Sequence, residues 1–109
     1  MEIFVNTDHT IHGHEAMLSE VKQEVSGALG HLSEHLTRVE VHISDENGPK
    51  TGVDAIKCLI EARIKKHQPV SVRVHAETVN QAVVEASRKL VSVIEGIRGR
   101  IADKKGAAE

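Results

Sequence analysis

Arg38-Val39-Glu40-Val41-His42-Ile43 and Val70-Ser71-Val72-Arg73-Val74-His75-Ala76 are the stretches that decide the fold. Apolar and polar residues alternate strictly in both. A period of two is the mark of a strand with one face buried and the other wet. Between them, Ala55 to Ile64 (A-I-K-C-L-I-E-A-R-I) reads as a third strand of the same kind. The inward set is Val39, Val41 and Ile43, then Ile56, Cys58, Ile60, Ala62 and Ile64, then Val70, Val72 and Val74. The wet set is Glu40, His42, Lys57, Leu59, Glu61, Arg63, Ser71, Arg73 and His75, with Phe4 from an earlier strand.

Working outward, Glu2 to Asn6 is a short first strand with Ile3 and Val5 on one face. Thr7 to Gly13 is a polar turn. From His14 to Leu36 the apolar residues Leu18, Val21, Val25, Ala28, Leu29, Leu32 and Leu36 fall on one helical stripe, which predicts one helix over that span. Residues 45–54 (D-E-N-G-P-K-T-G-V-D) form a turn-rich hairpin loop, and residues 65–69 form the next turn, with Pro69 opening the last strand. Thr78-Val79-Asn80-Gln81 is a capping box, with the Thr78 hydroxyl accepting from the Gln81 N–H. It starts a second helix predicted to run to about Asp103, with a stripe of Val79, Val83, Ala86, Leu90, Val93, Ile94, Ile97 and Ile101.

This order predicts an α+β domain, a β-α-β-β-β-α two-layer sandwich. A four-stranded mixed sheet carries two helices on one face. A helix joins the first two strands, so they should run parallel with a right-handed crossover, and the other pairs should be antiparallel hairpins. Residues 1–105 are expected to form the single domain and 106–109 a flexible tail.

The 109 residues suffice for one such domain. A single cysteine, Cys58, excludes an internal disulfide and fits a reducing compartment. The N-terminus has no basic region followed by an apolar run, so a soluble cytoplasmic protein is expected. The net charge of −2 is unevenly spread. Residues 1–54 hold 3 basic and 10 acidic side chains, a net of −7, and residues 55–109 hold 11 and 6, a net of +5. Such polarity points to an anionic partner for the second half. With no Trp, no Tyr and only Phe4, stacking on successive bases of a single strand is disfavoured, which leaves recognition of shape and phosphate.

Eight histidines raise a metal hypothesis. His31-Leu32-Ser33-Glu34-His35 has the H-x-x-E-H spacing of one zinc-peptidase class, and on an α-helix His31 and His35 would share a face. The motif is short and has no convincing third ligand downstream. It reads as a solvated helix shoulder, and His9, His12 and His14 as at most an adventitious site. Cys58 points inward and reads as packing. No nucleophile elbow, phosphate loop or nucleotide fingerprint is present, so neither an enzyme, a bound metal nor a cofactor is expected.

The basic residues carry the functional reading. Arg63, Lys65, Lys66 and His67 cluster at one end of the sheet, and Arg73 and His75 lie on its open face. Arg88, Lys89, Arg98 and Arg100 line the second helix, extended by Lys104 and Lys105. Such groups bind phosphates along a structured RNA backbone. The plainer alternative is a solvated helix with Glu85–Lys89 and Glu95–Arg98 pairs. A second class of function is a small protein-interaction module, self-associating or binding a protein through the sheet face around Phe4, Leu59 and His42.

Over about residues 2 to 105 the chain resembles the ribosome hibernation-promoting factor family, also called ribosome-associated translation inhibitors (the sigma-54 modulation protein family). The resemblance rests on element order and on Ala76 to Leu90 (A-E-T-V-N-Q-A-V-V-E-A-S-R-K-L). There a strand ends in a small and an acidic residue and leads into a helix with a Lys-Leu pair, followed by Arg98 and Arg100. It implies a fold similar to double-stranded-RNA-binding domains and a short form of the family, without the extra dimerisation domain. It implies a translation inhibitor acting in stress or stationary phase, whose partner is the small ribosomal subunit. The 16S rRNA would be bound where messenger and transfer RNA pass. No membrane, DNA or cofactor is implied, and a monomer or weak dimer is expected. The candidate rRNA-binding residues are Arg63, Lys65, Lys66, Arg73, His75, Arg88, Lys89, Arg98 and Arg100.

Overall fold

Strands form where the sequence alternates. In the computed structural model, which describes residues 1–8, 15–46 and 56–108 and the side chains among these up to residue 99, they are β1 (Glu2–Thr7), β2 (Leu36–Asp45), β3 (Ile56–Ile64) and β4 (Val70–Ala76). The sheet order is β1-β2-β3-β4. β1 runs parallel to β2, and β2–β3 and β3–β4 are antiparallel, as expected. Two helices, α1 (Glu15–Leu29) and α2 (Val79–Ala108), pack on one face and against each other. The loop at 47–55 and the turn at 9–14, with His9, His12 and His14, lie outside the described residues.

The core follows from the period-two pattern. Val39, Val41 and Ile43 of β2, Ile56, Cys58, Ile60 and Ala62 of β3, and Val72 and Ala76 of β4 are buried beneath Val21, Val25 and Leu29 of α1 and Val83, Ala86, Leu90 and Ile94 of α2. α2 starts as its capping box requires, with the Gln81 N–H donating to Thr78 Oγ1 at 3.1 Å. No helix among the described residues is long and apolar enough to cross a membrane.

Three expectations need correction. The first helix does not reach Leu36. It ends at Leu29, a 3-10 helix spans Gly30–His35, and Leu36 already belongs to β2. A 3-10 helix has three residues per turn, so Leu29 and Leu32 keep the same side while the helix type changes. The apolar spacing therefore could not tell the two apart, and Leu29, Leu32 and Leu36 are all buried. α2 runs on to Ala108 instead of ending near Asp103. Val93 is 37% exposed. It lies about 60° from Leu90 around the helix, on the margin of the stripe, whereas Ala82 and Ser87 are buried.

Ser87 has a consequence for stability. Its hydroxyl is buried and makes no hydrogen bond, and an unsatisfied buried polar group is costly. Ser87→Ala removes that cost and improves helix propensity. It is expected to stabilise the fold by about 1 kcal/mol, a rise of roughly 4–8 °C in Tm. Leu90→Ala, at the centre of the buried stripe, is expected to cost about 2–5 kcal/mol. Chemical and thermal denaturation of the two variants check both signs.

Candidate nucleic-acid interface

The face of the sheet away from the helices is ordered in rows by strand register. One row is Glu2, Arg38 and Arg63; the next is Phe4, Glu40, Glu61 and Ser71. Then follow Asn6, His42, Leu59 and Arg73, and finally Ser44, Lys57 and His75. Arg63 thus stands directly across from Arg38, and Glu40 directly across from Glu61. Like charges in directly opposed positions are unfavourable, so this face needs counter-ions.

Some are internal. The Arg38 guanidinium lies over the Phe4 ring, 4.1 Å from its centroid, and its Nε is 3.6 Å from Glu40 Oε2. The ring is thereby partly covered, although Phe4 is still 37% exposed. At the far end Glu46 takes a hydrogen bond from His75 Nε2 at 2.8 Å and lies 3.9 Å from Lys57 Nζ. The His75 hydrogen bond foremost, with the charges of Lys57, His75 and Arg73 behind it, holds the Glu46 carboxyl below the usual carboxylate range.

Others are missing. Among the described residues, Arg63, Lys65, Lys66, Arg88 and Arg98 are exposed, and no acidic side chain pairs with any of them. Arg73 is also exposed and meets the Glu46 charge only at longer range. The helix pairs Glu85–Lys89 and Glu95–Arg98 do not form. Lys89 Nζ instead reaches the Arg73 carbonyl on the outer strand at 3.5 Å, and Glu95 pairs with His31 at 2.9 Å.

The structure sorts the candidate residues into groups. Arg63, Lys65 and Lys66 gather at the β3–β4 turn, where the His67 N–H closes back on the Ile64 carbonyl at 3.2 Å. Lys66 has a φ of 61°, as the second central residue of a type II turn requires. The Lys65 N–H ties this turn to the His35 carbonyl at 2.9 Å, and His31 ties the same 3-10 helix to α2, which brings the Arg98 segment to this end. Arg73 and His75 lie on the open face with Lys57, and Lys89 comes to its edge. Arg88 is exposed on α2 beside Lys89. The side chain of Arg100 lies outside those described. Lys57 and Glu46 were not singled out as site residues from sequence. The period of two put Lys57 on the right face, but a turn residue such as Glu46 has no periodicity to reveal where it points.

The H-x-x-E-H spacing loses its geometry. His31 and His35 stand in a 3-10 helix, where positions four apart are rotated by roughly 120°, and they do not share a face as they would on an α-helix. No group of three or more potential metal ligands occurs among the described residues. Cys58 is fully buried, and burial pushes its thiol up to about 12, so it stays a neutral packing group.

No family model matches the sequence, and no curated protein does. Solved structures do match. The Thermus thermophilus Protein Y N-terminal domain is similar at 12% identity with a TM-score of 0.69, over 89% of this chain and 99% of that one. A ribosomal subunit interface protein from Coxiella burnetii is similar at 10% identity with a TM-score of 0.62, over 91% of this chain and 99% of that one. The chain has the fold of these two proteins.

Glu46 gives the interface a pH dependence of known sign. A carboxyl depressed on folding adds stability that is complete above its ordinary value of 4.5 and is lost as pH falls through the lower folded value. Glu46→Gln is expected to remove that part of the acid-side slope in denaturation midpoints. In His75→Ala, carbon NMR of the Glu46 carboxyl should show it titrating closer to its ordinary value.

Proposed function

We propose that this protein is a ribosome-associated translation inhibitor of the hibernation-promoting factor family, cytoplasmic and without catalytic activity. In this reading it binds 16S rRNA of the small subunit in the channel used by messenger and transfer RNA. The observation that carries the reading is the set of exposed cations without carboxylate partners among the described residues: Arg63, Lys65 and Lys66 at the β3–β4 turn and Arg88 and Arg98 on α2, with Arg73 on the open sheet face. Arg63 facing Arg38 is a local electrostatic cost that a phosphate would relieve. The fold shared with a protein described as a ribosomal subunit interface protein supports the same partner.

The mechanism is occupancy. A rigid sheet and a basic turn present charge to A-form RNA, which is recognised by shape and backbone. With few aromatic rings, base-by-base readout contributes little. The open face is poorly suited to a purely apolar protein partner, because Arg38 covers Phe4 and charged residues surround Leu59.

The protein is expected to co-sediment with small ribosomal subunits at low salt and to inhibit translation in a purified system. With about six phosphates engaged, affinity should fall about a thousandfold between about 50 and 200 mM salt. Arg63→Glu and Lys89→Glu should each weaken binding several-fold and flatten the salt dependence. A protein that stays in the ribosome-free fraction at the lowest salt sinks the reading.

A further inference from the structure

We propose that Lys57, Arg73 and His75 form a phosphate seat on the open sheet face, and that Glu46 is a built-in competitor occupying it until RNA arrives. The inference rests on the RNA-binding reading above and concerns the regulation of that surface. Lys57 belongs to no candidate set derived from the sequence, and Glu46 enters it as the group that is displaced.

The geometry carries the proposal. Lys57 and His75 are directly opposed on β3 and β4, and Arg73 lies two residues before His75 on the same face. The Lys57 and His75 side chains converge from neighbouring strands on one position where a carboxylate already sits, and Arg73 faces it from longer range. Glu46 Oε1 is 2.8 Å from His75 Nε2 and 3.9 Å from Lys57 Nζ, and Arg73 also attracts it. A carboxylate oxygen and a phosphate oxygen make the same demand on these donors. Glu46 therefore marks where an external anion binds.

The competitor is weakly held by design of its surroundings. Glu46 is exposed, and it directly follows β2, beyond the last strand residue Asp45. An exposed ion pair contributes little to stability, because solvent screens it. An RNA whose other backbone phosphates contact Arg63 or Lys89 can displace it. Beside the seat, a groove of about 230 Å³ is lined by Lys57 itself and by Asn6, Asp8, His42, Ser44 and Leu59, which leaves room for the sugar attached to that phosphate.

The test compares Glu46→Gln with the full-length wild type on an RNA duplex of about 16 base pairs, by fluorescence anisotropy across a salt series. Glu20→Gln on α1 removes the same charge away from the sheet face and serves as the control. The expected result is an affinity gain of about threefold for Glu46→Gln beyond that of Glu20→Gln, with a salt slope steeper by up to about one. Adding Lys57→Gln to Glu46→Gln should abolish the gain. Equal gains in the two single variants, or a gain that survives loss of Lys57, overturn the seat while leaving RNA binding intact. A gain for poly-glutamate without one for the duplex assigns the seat to an acidic protein and overturns the phosphate assignment. Failure of both wild type and Glu46→Gln to bind the duplex or small subunits overturns this proposal together with the RNA reading.

Discussion

Burial on one side only is the constraint from which the other features follow. The strands place Val39, Val41, Ile43, Cys58 and Ile60 beneath α1 and α2, and every second residue must then face away. No element covers that second face among the described residues, so it can hold charge without desolvation. The helices fix where the sheet is dry, and the sheet in turn fixes which lysines and arginines share a plane.

On that plane electrostatics is only partly balanced within the chain. Arg38 is matched by Glu40 and stacked on Phe4, and Lys57 and His75 are matched by Glu46. Among the described residues, the turn at Arg63, Lys65 and Lys66 has no such match. A folded protein with net charge −2 thus keeps a basic turn, because 10 of its 16 acidic residues lie in residues 1–54 and 11 of its 14 lysines and arginines lie in residues 55–109. Net charge hides this separation.

Much of the fold was legible because it rests on periodicity. Val70 to Ala76 is a strand with the bounds its alternation suggests, and the mixed topology follows from a helix joining the first two strands. The passage from Leu29 to Leu36 was not legible, since Leu29, Leu32 and Leu36 satisfy a helix, a 3-10 turn and a strand entry alike. For the interface, the strand pattern assigned Arg73 and His75 to the open face. It could not show that Glu95 turns to His31 instead of Arg98, or that Glu46 folds back over His75. Those choices depend on side chains from distant segments meeting, which spacing along the chain does not encode.

The parallel pairing of β1 with β2 has a kinetic consequence. β2, β3 and β4 are hairpin neighbours, whereas β1 reaches its partner only after α1 and the 3-10 helix have been laid down, with Glu2 opposite Arg38. Closing that long loop costs more entropy than either hairpin, and it is repaid by pairing along one edge alone. β1 is therefore the last strand to dock during folding and the first to open in native fluctuations. Its amides are expected to exchange with solvent faster than those of β3.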